Sequence, residues 1–159
     1  MNPVARYIRL AGTATCILFM LWLAACASPP KPTVIQAALQ VQPDVNPDAR
    51  GRASPIVVKI YELKSLAIFN NADFFSLFEH NKETLGAELV AVDEFHLMPG
   101  ETRRFERALQ PDTQYLGVAA GFRDLERAQW RAATAVAPHQ VSPVTIHVKN
   151  NQITITASP

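Results

Sequence analysis

The sequence predicts a mostly β protein, an antiparallel β-sandwich with a short helical insertion. Roughly seven or eight short segments either alternate apolar and polar residues or are continuously apolar and β-branched, as is typical of strands. Turn-forming Pro, Gly, Asp and Asn residues separate these segments at regular intervals. Only one stretch changes to a helical period. Many short strands with frequent turn signals favour two packed sheets.

The first two predicted strands flank a long loop. Residues 34–41 alternate as in a strand with one buried face, and residues 56–63 are apolar and β-branched. Between them, residues 43–55 contain three prolines, a glycine and several Asp and Asn residues, which leaves no room for regular structure. A loop of roughly a dozen residues is longer than a hairpin needs.

The helical insertion follows the second strand. Apolar residues at spacing i, i+3 and i+4 predict a helix there; they are Phe74, Leu77 and Phe78. Asn71 or Asp73 could cap its start, and Gly86 could end a short following helix. Four of the eight phenylalanines lie in residues 69–78. We therefore expect this segment to cover an apolar edge or to bind a partner.

The remaining predicted strands complete the two sheets. They are residues 87–97, 102–109, 114–122, 130–137, 144–148 and 153–155. Charged residues on both sides of Phe105 indicate an exposed or edge strand, whereas residues 114–122 are apolar on both faces and therefore central. Asn150-Asn151 is a two-residue hairpin signal between the last two strands.

The N-terminus predicts a signal peptide. Arg6 and Arg9 precede an almost wholly apolar run over residues 10–25, with small residues at its end. The sequence Leu23-Ala24-Ala25-Cys26 resembles the lipobox of bacterial lipoproteins. In such proteins signal peptidase II cleaves before the cysteine, whose sulfur and amino group become acylated. An ordinary secretory signal or an uncleaved anchor is the alternative, although an anchor needs about 20 apolar residues.

The lipobox divides the chain into three parts. Residues 1–25 are the predicted cleaved signal peptide, residues 26–33 the acylated cysteine and a Pro-rich tether, and residues 34–159 the β-sandwich domain. The lipobox implies a diacylglycerol and an N-acyl chain on Cys26, and three chains hold a protein on a membrane essentially permanently. Because Ala27 replaces the Asp that retains enteric lipoproteins in the inner membrane, we expect the outer membrane, at its periplasmic face.

Composition excludes several classes of function. Cys16 lies in the signal peptide and Cys26 is acylated, so the mature domain has no thiol pair for a disulfide or a thiolate metal site. Without the two arginines of the first 25 residues, 13 basic residues face 14 acidic ones. There is no basic run of the kind that follows a phosphate backbone, so nucleic acid is not an expected partner.

No pattern in the sequence predicts catalysis. A Gly-rich phosphate loop, G-x-S-x-G and H-E-x-x-H are absent, and the four histidines lie in four different segments. Asp93 and Glu94 are adjacent, but neighbours on a strand point to opposite faces. We therefore expect neither an enzyme nor a cofactor, metal ion or small-molecule substrate.

Several motifs occur together, in order, behind the lipobox. They are Asn46-Pro47-Asp48-x-x-Gly51-Arg52-x-Ser54-Pro55 before Tyr61-Glu62-Leu63-Lys64, then Ala72-Asp73-Phe74-x-x-Leu77-Phe78 with Leu85-Gly86, then Pro99-Gly100-Glu101, Tyr115-x-Gly117-Val118-Ala119-Ala120-x-Phe122-Arg123-Asp124-Leu125 and Trp130-Arg131. As a set they resemble the outer-membrane lipoproteins of type VI secretion systems, the TssJ or SciN family. Ala53 and the spacing after Leu125 depart mildly from that pattern.

This resemblance implies a transthyretin-like β-sandwich and a role in assembly. Such a lipoprotein binds the periplasmic C-terminal region of a large IcmF-like inner-membrane protein, TssM, and catalyses no reaction. The family's contact lies in the loop between the first two strands, residues 44–54 here. The candidate partner-binding residues are Asp44, Asn46, Pro47, Asp48, Arg50, Gly51 and Arg52.

Alternatives remain open at this point. The Gly and Pro residues of the loop could merely shape a chain reversal, with Asn46, Pro47 and Gly51 purely structural. A lipoprotein that carries a small ligand is a second function class, but short strands interrupted by Pro argue against a closed barrel. A scaffold of another envelope machine is a third.

Overall fold

The computed structural model describes residues 30–158, so the predicted signal peptide, Cys26 and the first residues of the tether lie outside the described residues. The strands are β1 (Val34–Val41), β2 (Ile56–Leu63), β3 (Leu89–Leu97), β4 (Thr102–Ala108), β5 (Tyr115–Ala120), β6 (Arg131–Ala135), β7 (Val141–Lys149) and β8 (Gln152–Ala157). The helices are α1 (Ala67–Asn71), α2 (Phe74–Glu79) and α3 (Asn81–Leu85), followed by a 3₁₀ turn (Gly86–Glu88).

The strands form two four-stranded sheets, which confirms the predicted sandwich. Sheet 1 has the order β4-β1-β7-β8 and sheet 2 the order β3-β2-β5-β6. Every neighbouring pair is antiparallel except β1 and β7, which run parallel from Val34 opposite Val141 to Val41 opposite Val148. Parallel neighbours need a long crossover, and here the chain passes through the whole of sheet 2 between β1 and β7.

Sheet 1 is buried on one face only. Ile35, Ala37 and Leu39 are at most 3% exposed, while Gln36 and Ala38 between them are more accessible, so β1 has the alternation that its sequence predicts. The inner residues pack against those of sheet 2 in one continuous apolar core. At the edge of the sheet, β4 is the exposed strand that the charges around Phe105 predict.

Sheet 2 is buried on both faces because the helices cover its outer side. Tyr61, Leu63 and Ala119 pack against Phe69 and Leu77 in a second apolar cluster. This third layer explains why β5 is continuously apolar, since a central strand between two layers exposes neither face.

Polar contacts bind the helices to sheet 2. The guanidinium of Arg131 donates to the carbonyl of Phe69 at 3.0 Å and to that of Ala72 at 2.6 Å. The Tyr61 hydroxyl donates to the Leu77 carbonyl at 3.1 Å, and burial raises its pKa. Asp73 caps α2 by accepting the backbone N–H of Ser76, as the sequence predicts.

The last six strands differ from their predicted bounds by one to three residues at one or both ends, and β3 and β7 show the reasons most clearly. β3 begins at Leu89, because residues 86–88 form the 3₁₀ turn. β7 begins at Val141, three residues before its predicted start, and so includes Pro143. The Pro143 carbonyl accepts the N–H of Ser158, one residue beyond the β8 ladder. Since the N–H and C=O of one residue point to the same side of a strand, the missing N–H of Pro143 costs no ladder bond.

The substitution Gly117→Ala tests the three-layer packing, because Gly117 lies directly against the Phe69 ring. A Cβ atom on Gly117 would lie 2.7 Å from the Phe69 ring, so we expect Gly117→Ala to lower the free energy of unfolding by about 1–3 kcal/mol. Urea denaturation of residues 27–159 measures this change. The matched control is Gly121→Ala, whose Cβ would lie 3.3 Å from Phe78. Equal effects of the two substitutions would contradict the packing described.

Candidate protein-interaction site

The loop between β1 and β2, residues 42–55, crosses from sheet 1 to sheet 2 at one end of the sandwich. Although it has no regular structure, its base is part of the core. Val45 is fully buried, and its carbonyl accepts the N–H of Ser54 at 3.1 Å. The two halves of the loop are therefore joined close to the sheets.

Asn46 joins this loop to two other connections. Its backbone N–H donates to the Asn150 carbonyl in the β7–β8 hairpin at 2.8 Å. Its side-chain amide donates to the Pro55 carbonyl at 2.9 Å and accepts the N–H of Arg123, after β5, at 2.8 Å. Its φ of 51° is left-handed, a conformation that Asn tolerates better than most residues. Only 3% of Asn46 is exposed, so it positions the loop from within.

Asp48 organises the exposed part of the loop. Its carboxylate accepts the backbone N–H groups of Arg50 and Arg52 at 2.8 and 2.9 Å, and it pairs with the Arg52 guanidinium at 2.7 Å. These bonds hold the pKa of Asp48 below its usual range, and the bond from the Arg52 N–H has the largest effect. Gly51 completes the turn with φ of 75°, where a side chain would be strained. The tip of the loop thus has a fixed shape.

The candidate residues differ in what they present to solvent. Asp44, Arg50, Gly51 and Arg52 are exposed, Pro47 and Asp48 are half-buried, and Asn46 is buried. The surface of the loop is therefore polar and charged. Its two arginines project from a backbone that Asn46 and Asp48 hold in place.

An open cleft of about 600 Å³ adjoins the loop. It is lined by Pro47, Asp48, Ala49, Arg123, Asp124, Arg127 and Asn151. In the sequence, Arg123 and Asp124 belong to the motif that follows Phe122, and no sequence pattern connects them with the loop. Their proximity follows from the Asn46 hydrogen bond, which joins positions 77 residues apart.

We define the loop end by four connections, which are residues 42–55, 98–101, 121–130 and 150–151. The opposite end, which we call the tether end, receives the N-terminal segment. There Thr33 accepts the backbone N–H of His139 at 2.9 Å, and the Lys31 carbonyl lies 2.8 Å from Nδ1 of His139. β1 then carries the chain to the loop end over eight residues, roughly 25 Å.

Within residues 30–158, no cluster of three or more His, Cys, Asp or Glu residues could hold a metal ion. A helix long and apolar enough to cross a membrane is also absent from the part of the chain that the structure describes.

These features define a β-sandwich domain with an ordered polar loop at the end opposite its N-terminal tether. A family model described as "Type VI secretion lipoprotein, VasD, EvfM, TssJ, VC_A0113" matches residues 33–151. The chain therefore belongs to the type VI secretion lipoprotein family, as its motifs predict. Proteins of this family are structural lipoprotein components of the secretion system. No curated protein sequence matches the chain.

Solved structures support this membership. The T6SS lipoprotein TssJ1 from Pseudomonas aeruginosa is 43% identical, with a TM-score of 0.75 over 82% of this chain and 98% of that one. Lip from Serratia marcescens, a membrane-bound component of the type VI secretion system, is 25% identical, with a TM-score of 0.70 over 77% and 96%. The match covers nearly all of both solved chains, so each of these relatives folds as a domain of about the size described here.

Asn46 provides a test of how the loop is held. Asn46→Ala leaves the Arg123 N–H and the Pro55 carbonyl without their partner, so we expect a loss of about 1–3 kcal/mol in the free energy of unfolding. Urea denaturation measures it. Asn46→Gly, which keeps the left-handed backbone open but also removes the side chain, should lose nearly as much.

The control for this substitution is Asp44→Ala at the exposed start of the loop, which should change stability by no more than about 0.5 kcal/mol. A neutral Asn46→Ala would show that the hydrogen bonds of Asn46 do not hold the loop.

Proposed function

We propose that this chain is an outer-membrane lipoprotein that binds the periplasmic C-terminal domain of TssM, the IcmF-like inner-membrane protein, through the β1–β2 loop. Acyl chains on Cys26 hold one end of the domain at the periplasmic face of the membrane, and the loop end engages the partner. The chain thereby links the outer membrane to the trans-envelope complex and catalyses no reaction.

The observation that carries this proposal is the placement of the loop in a member of this family. The tether enters at His139 and Thr33, and the candidate residues lie at the other end of β1. An anchored domain with this layout directs its loop away from the membrane surface. That direction suits a partner that spans the periplasm.

The physical character of the loop supports binding to a protein. Its prolines and the Asp48 turn already hold the loop in one shape, so little conformational entropy is lost when a partner binds. Exposed Arg50, Arg52 and Asp44 provide the charges that orient a partner and exclude others.

Two further structural matches support the identity of the partner. A chain in a structure described as "Type VI membrane complex" is 28% identical, with a TM-score of 0.67 over 81% of this chain and 100% of that one. A chain in a structure described as "T6SS protein TssM C-terminal domain (869-1107) from EAEC" is also 28% identical, with a TM-score of 0.64.

The length of the matched chain in that last structure is informative. Since 77% of this 159-residue chain corresponds to 99% of the matched one, the matched chain has about 125 residues, roughly half the span 869–1107. This size fits a TssJ-like chain that accompanies the named domain, which supports TssM as the partner here.

Reversal of the two loop arginines tests the proposed interface. We expect Arg50→Glu with Arg52→Glu to weaken binding of residues 27–159 to the TssM periplasmic C-terminal domain by at least about tenfold, measured by biolayer interferometry. The melting temperature should change by less than about 3 °C, because both side chains are exposed and the surface ion pair between Arg52 and Asp48 contributes at most about 1 kcal/mol.

A matched control makes the same change in charge elsewhere. Arg104→Glu with Lys82→Glu alters one exposed residue on β4 and one on α3, and should leave the affinity unchanged. Equal losses for the two pairs would indicate a long-range charge effect. An unchanged affinity for the loop variant would move the site elsewhere, with the segment 69–78 as the first alternative.

The lipid anchor is tested separately in the cell. Cys26→Ser removes the sulfur that would carry the diacylglycerol, so we expect loss of radiolabelled palmitate and release from the outer-membrane fraction. The variant domain should still bind the partner in solution. Continued recovery of the Cys26→Ser protein with outer membranes would contradict acylation as the anchor.

A further inference from the structure

The β3–β4 turn runs beside the β1–β2 loop. β3 pairs with β2 and β4 pairs with β1, so both connections cross between the sheets at the same end. Leu97, just before the turn, lies opposite Ile56, where the loop ends. The Glu101 carbonyl accepts the N–H of Val41, where the loop begins, at 2.9 Å. The turn therefore contacts both roots of the loop.

Hydrogen bonds hold this turn in one conformation. The Glu101 N–H donates to the Met98 carbonyl at 3.0 Å, and the Glu101 carboxylate accepts the Met98 N–H at 2.9 Å. Gly100 has φ of 80°, which closes the turn without strain. Arg103 donates to the other carboxylate oxygen at 2.8 Å. The bond from the Met98 N–H keeps the pKa of Glu101 below its usual range, and the bond from Arg103 adds to this effect.

Met98 is exposed on this fixed turn. Its exposed fraction is 58%, although it is a large apolar residue. Other large apolar residues with comparable exposure in residues 30–158 are Ile68, Phe75 and Val141. Ile68 and Phe75 belong to the helical insertion, and Val141 begins β7 at the tether end. The helix that carries Phe75 packs on the connection after β5, through Phe74 against Trp130 and Phe78 against Gly121. Among the four exposed apolar residues, Met98 alone belongs to one of the connections that define the loop end, and its turn is hydrogen-bonded to the start of the β1–β2 loop.

Protein interfaces combine an apolar centre with a polar rim, and methionine and arginine are enriched in them. The β1–β2 loop presents charged and polar groups, but Val45, its one large aliphatic residue, is buried. The loop by itself therefore has a rim and lacks an apolar centre. Met98 lies directly beside it and supplies what the loop lacks.

We propose that Met98 is the apolar anchor of the partner interface, with the β3–β4 turn as its second contact element. This inference rests on the proposed function. The occupant is the periplasmic partner domain that binds the loop, since the turn is continuous with both roots of the loop and lies at the end away from the tether. A pocket of that domain encloses the Met98 thioether, while Arg50 and Arg52 contact its polar border. Glu101 acts as a positioning residue for the turn.

Three matched substitutions test this anchor in residues 27–159. Met98→Asp, Phe75→Asp and Val141→Asp each replace an apolar residue that is more than half exposed with the same charge. Biolayer interferometry against the TssM periplasmic C-terminal domain measures the affinity of each variant, and circular dichroism measures its melting temperature. We expect Met98→Asp to raise Kd by at least about tenfold and the other two to leave it within about twofold.

Met98→Ser separates loss of the apolar side chain from the added charge. It should also raise Kd, by about fivefold or more, with an unchanged melting temperature. A normal affinity for both Met98 variants would overturn the anchor, and so would a loss found with Phe75→Asp in place of Met98→Asp.

Failure of the anchor and failure of the proposed function give different results. Loss of binding in the Arg50 and Arg52 variant, with normal binding by the Met98 variants, leaves the proposed partner and loop in place. Absence of binding by the unmodified domain removes the proposed function itself.

Discussion

The hydrogen bonds of Asn46 are the interaction on which the loop end depends. A loop of this length has many conformations, and each residue that folding orders costs about 1–2 kcal/mol of backbone entropy. Asn46 joins the loop to its own far root at Pro55, to the connection after β5 and to the β7–β8 hairpin. Once these three connections are joined, Asp48 has only a short segment left to order. Three of the four connections at the loop end thereby form one surface of defined shape.

The layers of the sandwich explain why this surface is free to bind. The helices cover the outer face of sheet 2 and bury Phe69 and Leu77, so most of the aromatic segment stabilises the fold. Sheet 1 presents a polar outer face, and the tether occupies the end opposite the loop. The tether and the proposed recognition surface thus lie at opposite ends of β1. A force along the complex would act along the strands of β1 and its neighbours.

Much of the fold was predictable because local patterns determine it. Alternation and flanking turn residues located β1 and β2, and Asp73 and Gly86 marked helix ends. The parallel pairing of β1 with β7 was not, since it depends on a crossover through the other sheet. The charged residues of the loop were predictable as exposed groups. The role of Asn46 was not, because its partners are distant in sequence, nor was Met98, because Met-Pro-Gly-Glu indicates only a turn.

The most direct test of this account is hydrogen–deuterium exchange of residues 27–159, with and without the TssM periplasmic C-terminal domain. The account predicts that binding slows exchange at residues 42–55 and 98–101, and leaves the tether end, residues 109–114 and 136–140, unchanged. Protection at the tether end or on the helical insertion, with none in the β1–β2 loop, would contradict the assignment of recognition to the loop end.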